Sequence, residues 1–288
     1  MRVTDCHVHI QPLDMLLPDV ARRYEAGRSD IPYVRELVAD PRKFLAHMDR
    51  EGVWRSALVN YPSPDLMGFT EKVNDFVAGY AKADPQRIVP FGGVHPRLAR
   101  ESRKEARRCV ELGIRGFKVH PPHMVLAAND YLPERRAEHG QALREVYEVA
   151  QEAGLPVMIH TGTSVFPGAR NRFADPMPID DVAVDFPRLT ILLAHGGRPL
   201  YMETAFFLLR RHRNVLLDVS SIPPRSLLSY FPRLDEIGDQ VLFGSDWPGP
   251  GVRSMGQNLR EILALPLSEE IKRKMVETNA DRVFGGPR

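Results

Sequence analysis

The sequence predicts an α/β fold and, most economically, a closed (β/α)8 barrel. Three observations carry this. Eight short apolar or β-branched runs alternate with longer amphipathic stretches along the 288 residues. Several runs, such as V-M-I-H and I-L-L-A-H, are nearly continuous apolar segments, as expected of strands covered on both faces of a parallel sheet. Ionisable residues stand at the ends of several runs, on the side where barrels of this type carry their active sites. Strand then helix, eight times, indicates α/β. An open doubly wound sheet is the competing architecture, but no G-x-G-x-x-G follows a strand and no Walker-type glycine loop occurs, which weakens nucleotide-fold readings.

Taken in order, the strands are predicted over 3–9, 56–60, 88–94, 116–120, 156–160, 190–195, 215–219 and 241–246. Helical patterns lie between them. One runs over 41–51, with Asp40 as N-cap and Pro41 at the first helical position. Others run over 69–83, 100–112 and 140–153, the last two closing on the C-cap glycines Gly113 and Gly154. The remaining three are 179–186, 200–211 and 225–237, and a helix over 268–279 that starts at Ser268 closes the chain. Three connections, 11–39, 121–139 and 161–178, exceed what joining requires, and each follows a strand's C-terminal end. Many of the 25 prolines fall where barrel loops are expected, among them Pro62, Pro96, Pro121, Pro122, Pro199 and Pro248. No repeat, low-complexity tract or linker divides the sequence, so residues 1–288 are read as one domain.

Composition narrows the classes of function. The chain is 43% hydrophobic and 26% charged, with a net charge of +2, which gives no bulk electrostatic argument for a nucleic-acid partner. Basic residues in 97–108 and 210–213 fall on outer helices and read as solvated faces. No apolar run approaches the ~18 residues of a membrane span, and the N-terminus carries no apolar leader. Cys6 and Cys109, the only cysteines, are read as reduced thiols of a cytoplasmic protein.

The chemistry is concentrated at the strand ends. His7 and His9, in D-C-H-V-H, lie two apart and face the same way on a strand. His160 ends the fifth run, His195 the sixth and Asp246 the eighth. An ionisable group at the end of an apolar strand is costly to bury without a partner. One such residue is ordinarily a satisfied core group; five at one end of a barrel are hard to explain that way. Imidazoles plus a carboxylate suit Zn2+, and also Mn2+, Fe2+ or Co2+. By alternation Asp5 lies on the histidine side but deeper, as a supporting or structural residue.

H-x-H on strand one, H-T-G on strand five, A-H-G-G on strand six and G-S-D-W-P on strand eight resemble the amidohydrolase superfamily. More narrowly they are similar to its amidohydrolase-related branch, which holds aminocarboxymuconate-semialdehyde decarboxylase, resorcylate-type decarboxylases and some lactonases. The segments K-V-N-D-F and F-G-G-V-H-P extend the likeness over the whole chain. The resemblance implies His7, His9 and His160 as metal ligands, with Asp246 as a ligand or as the acceptor of a proton from metal-bound water. It implies His195 beside the metal, as acid–base or to polarise the substrate. One divalent ion is implied, Zn2+ first and Mn2+ second, with no second metal. In binuclear relatives a strand-four lysine is carboxylated and bridges two metals; here Lys118 is read instead as orienting a substrate carboxylate or pairing with an acid. Arg170 and Arg172 are candidates for carboxylate recognition, with a solvated basic loop as the alternative. Trp247 is a candidate pocket wall or a packed rim aromatic. His120 and His123 are read as pocket-lining loop residues.

Two reactions fit these residues: hydrolysis of a small amide, ester or lactone by metal-activated water, and non-oxidative decarboxylation of an aromatic or enoic acid. Hydrolysis is preferred as the broader superfamily activity. A barrel that binds a ligand without catalysis ranks below both, since all five positions are filled. The expected partner is a small molecule, carboxylate-bearing on the second reading, with no nucleic acid or membrane, and the resemblance suggests a homodimer.

Overall fold

A parallel strand pair needs a crossover connection, and eight strands joined in this way wrap the chain around its own sheet. The computed structural model describes residues 1–26 and 28–286. Its strands are β1 (Thr4–Val8), β2 (Arg55–Val59), β3 (Ile88–Gly92), β4 (Gly116–Val119), β5 (Val157–His160), β6 (Ile191–Ala194), β7 (Val215–Asp218) and β8 (Val241–Leu242). All pair in parallel, in chain order. β8 is short, but the chain beyond it closes the ring onto β1: Cys6 N donates to Phe243 O at 2.9 Å, Asp246 N to His7 O at 2.8 Å and His9 N to Trp247 O at 2.8 Å. The predicted barrel is therefore present, and each strand overlaps its predicted run.

β1 departs from simple alternation. Asp5 is opposite Ser56 while Val8 is opposite Leu58, so β1 holds one residue more than β2 over that interval. The bulge lets Cys6 join the interior cluster of Ala57, Val59, Met158, Leu192 and Leu242, while the adjacent His7 still reaches the functional face. Asp5 Oδ1 accepts from His7 N at 3.1 Å and from Ser245 N at 2.9 Å. It thus ties β1 to the segment after β8, and sequence alternation alone did not place it there.

Several local expectations have visible causes. Asp40 Oδ1 accepts from Arg42 N at 2.9 Å at the head of the Pro41–Glu51 helix. Gly113 and Gly154 hold φ of 92° and 66°, the left-handed conformation that a helix exit favours in glycine. The helix expected over 225–237 is instead three short turns, Pro224–Ser226, Leu227–Tyr230 and Leu234–Gln240; Pro232 interrupts it by removing an N–H and crowding the preceding turn. The long connection at 11–39 contains helices Pro18–Glu25 and Ile31–Ala39. The second buries Ile31, Val34 and Leu37, the i, i+3, i+6 spacing of one helical face. Helix Met255–Leu263, capped by Ser254, was not anticipated. Cys6 and Cys109 are buried free thiols. Among the described residues no helix is long and apolar enough to cross a membrane.

Candidate metal centre and active site

His7 lies on β1, His9 just past its end and Asp246 in the segment after β8, and a hydrogen bond on the far side of each histidine ring orients it. His7 Nδ1 lies 2.6 Å from Asp218 Oδ2 and 3.0 Å from Ser220 Oγ. His9 Nδ1 lies 2.9 Å from Val59 O. A carbonyl or carboxylate only accepts, so both rings carry their proton on Nδ1 and present a lone pair at Nε2. The two Nε2 atoms converge on one carboxylate oxygen, Asp246 Oδ1, at 3.5 Å from His7 and 3.1 Å from His9. His7 Nε2 is buried and has no hydrogen-bond donor. Three acceptors facing one another are repulsive unless a proton or a cation lies between them. His7, His9 and Asp246 bring one ligand atom each within 4.8 Å of the others, and this N/N/O set suits a divalent transition metal.

Electrostatics support the same reading. Burial lowers His7 and, with the charge of Lys118, outweighs the pull of Asp218, so the ring is neutral. Burial pushes the Asp246 carboxyl up, but the contacts with His9 and His7 and the charge of Lys118 prevail and hold it down at about 2. Asp218 is likewise pushed up by burial and held below its usual value by His7 and Ser220. Deprotonated acids beside neutral imidazoles are the states that bind metal. Asp5, by contrast, is pushed up to about 7 by burial.

His195 and His160 form the adjacent wall. The His195 ring stands 4.9 Å from that of His7 and 4.7 Å from that of His160. His195 Nδ1 lies 2.9 Å from Ser220 O, which again leaves Nε2 with a lone pair; burial keeps the ring well below its ordinary pKa. His195 therefore faces the site as a proton acceptor. His160 Nε2 donates to Gly162 O at 3.2 Å, and His160 stands outside the cluster formed by the other three ligand types. Its ring stacks on His120 at 3.8 Å, and His120 on His123 at 3.5 Å. His123 is fixed by Tyr61 Oη at 3.0 Å and Ser164 Oγ at 2.8 Å.

Backbone strain marks the same place. Among the described residues five non-glycines have positive φ, and Asp246 (67°), His195 (71°) and Ser221 (58°) are three of them. Each such residue costs about 1–3 kcal/mol and persists only where its surroundings enforce it.

The remaining sequence candidates separate. Lys118 is 2% exposed, and its Nζ has no hydrogen-bond partner among the described residues; burial lowers it to about 8. Arg170 and Arg172 are exposed, the latter with its guanidinium 4.8 Å from the Phe173 ring. Trp247 is buried, its ring 4.7 Å from His47 and its backbone bridged to Val8. Asp218 and Ser220 were missed. Asp218 ends the apolar run V-L-L-D, so the strand-end rule that selected His160 and Asp246 selects it too. Ser220 carries no sequence signal, since a serine in a loop is ordinary. Asp218→Asn is expected to weaken metal binding about 10–100-fold by loosening the His7 orientation. Competition against a chelator measures this, and an unchanged affinity would dismiss the Asp218–His7 contact as incidental.

The class defined here is a parallel eight-stranded barrel carrying a cluster of two imidazoles and a carboxylate that could hold a metal ion. A profile of the amidohydrolase family matches residues 4–286, so the chain belongs to that family, in its amidohydrolase-2 branch, and is an enzyme. No curated protein matches the sequence. Solved structures share the fold. An uncharacterised TIM-barrel protein from Bordetella bronchiseptica aligns at TM-score 0.75 and 22% identity, covering 98% of both chains. A probable 2-pyrone-4,6-dicarboxylic acid hydrolase from Acinetobacter baumannii, with citric acid bound, aligns at 0.67 and 16%, covering 99% of this chain and 100% of its own. A 5-carboxyvanillate decarboxylase from Novosphingobium aromaticivorans, with bound manganese, aligns at 0.67 and 16%, covering 98% and 95%.

Proposed function

We propose that the enzyme is a hydrolase of a small amide, ester or lactone, working through one divalent metal held by His7, His9 and Asp246, with His160 as the further ligand. The observation that supports it is the convergence of the two lone-pair-bearing Nε2 atoms on Asp246 Oδ1. When bound, Zn2+ or Mn2+ supplies Lewis acidity and brings the pKa of a water toward ~7. The protein's own groups do the rest. Asp246, held ionised, would accept the proton released as water attacks, and His195, whose neutral ring carries a lone pair at Nε2, would be a second proton acceptor. Asp218 and Val59 hold the two histidines in the ligating tautomer.

A second reading, decarboxylation of an aromatic or enoic acid, is favoured by Lys118. A buried ammonium without a hydrogen-bond partner suits a substrate carboxylate. Metal analysis of protein purified without chelators, run beside assays for lactone or ester hydrolysis and CO2 release, decides between them. About one equivalent of zinc or manganese with hydrolysis is expected. CO2 release without hydrolysis would transfer the site to decarboxylation, and no metal even after reconstitution would sink both. His160→Ala is expected to lose metal; full metal content would remove His160 from the ligand set. If Lys118 anchors the substrate, kcat/KM falls as pH rises through about 8, where the ammonium loses its proton. Lys118→Met then flattens that limb; a limb that survives the substitution belongs to another group.

A further inference from the structure

The three-residue turn after β6 carries His195 and ends at Arg198. Two functional-face loops build Arg198 into place. Thr163 N donates to Arg198 O at 2.9 Å, and Gly197 N donates to Thr161 Oγ1 at 2.9 Å. Gly162, at φ 84°, packs so closely that a Cβ there would lie 2.8 Å from Arg198 N and nearer still to its carbonyl oxygen. The side chain is half-buried; Nη1 reaches Thr163 O at 3.4 Å and Nη2 donates to Ser221 Oγ. Nε is shielded from solvent and has no acceptor among the described residues. Burial lowers the guanidinium's pKa, while the Asp246 charge raises it, and its own charge acts on His160 and His195. A desolvated N–H without a partner is rare in folded chains and calls for an explanation. A fixed cation within electrostatic reach of Asp246, His160 and His195 has the further property that it favours an anion among them.

We infer that Arg198, rather than Arg170 or Arg172, recognises a carboxylate on the substrate. This rests on the reading of the site as one for a small-molecule substrate. Arg198 offers its uncommitted Nε–H and a planar charged fork, the geometry that suits a carboxylate, on a backbone that the loop after β5 holds and with a side chain that Ser221 steadies. Arg170 and Arg172 are exposed, where water competes for the same anion.

The test is calorimetric titration of benzoate, salicylate, glutarate and citrate, with benzamide and salicylamide as neutral controls. The proteins are wild type, Arg198→Gln, Arg198→Lys and the double variant Arg170→Gln/Arg172→Gln, each zinc-loaded and metal-free. At least one carboxylate is expected to bind wild type and to weaken about tenfold or more in Arg198→Gln. Arg198→Lys falls between, the double variant matches wild type, and zinc content is equal throughout. The inference is overturned if no carboxylate binds wild type about tenfold tighter than Arg198→Gln, or if the double variant is the one that loses binding. Failure of wild type to hold zinc would instead sink the metal reading, and the metal-free titrations would still decide the role of Arg198.

Discussion

His9→Ala is expected to leave the protein folded and without metal. Its ring is anchored by Val59 O on one side and faces Asp246 Oδ1 on the other. Removing it leaves His7 and Asp246 of the three-residue cluster, with His160 the only further ligand proposed, one donor short of a closed four-ligand site. Metal content should fall from about one equivalent to near zero, and kcat/KM by roughly 10³-fold or more, because the Lewis acid is the source of the nucleophile. The cost in stability is modest by comparison. Val59 O loses its partner, worth about 1–3 kcal/mol if water does not replace the ring, and His9 is partly exposed, so water has access. Elemental analysis beside a urea titration separates the two effects. Full metal content with normal turnover would show that the convergence of His7, His9 and Asp246 has no bearing on binding.

Asp246→Asn should act in the opposite sense on stability. The carboxylate points one oxygen at two imidazole lone pairs. In metal-free protein this arrangement is repulsive unless a proton or cation intervenes. An amide of the same shape turns an N–H toward those lone pairs, and asparagine tolerates the positive φ that Asp246 adopts at 67°. The metal-free variant is therefore expected to be at least as stable as wild type, by up to about 1 kcal/mol, the net worth of one hydrogen bond. Activity should nevertheless drop about 10²–10⁴-fold, the usual contribution of a positioned proton acceptor. A stabilised, inactive variant is the signature of a residue kept for chemistry. A variant that is both destabilised and active would assign Asp246 a structural role.

The architecture was legible because periodicity is a local property. A strand covered on both faces reads as an unbroken apolar run, and a helix on one face as a 3.6-residue stripe. Every barrel strand was found this way. What failed was also local: Pro232 breaks 225–237, and the capped helix at Met255–Leu263 lay in a stretch to which no element was assigned. At the site, His7, His9, His160, His195 and Asp246 announced themselves as ionisable groups ending or flanking apolar strands. Asp218 obeys the same rule and went unnoticed because V-L-L-D-V-S-S continues into apolar and small residues without a recognisable motif.

The sequence by itself determined the barrel, the face that carries the chemistry and the residue types gathered there, because these follow from hydrophobic period and chain order. Only the tertiary structure decided how those residues address one another. The extra residue in β1 puts Cys6 in the interior beside a functional His7. Asp218, 211 positions from His7, sets its tautomer, and Val59 and Ser220 do the same for His9 and His195. Of the nearby arginines, Arg198 is built in between two loops while Arg170 and Arg172 stay in solvent. Contacts of this kind join segments far apart in the chain. No window of sequence contains them, and the direction of a ring proton depends on an acceptor that only closure of the barrel brings within 3 Å.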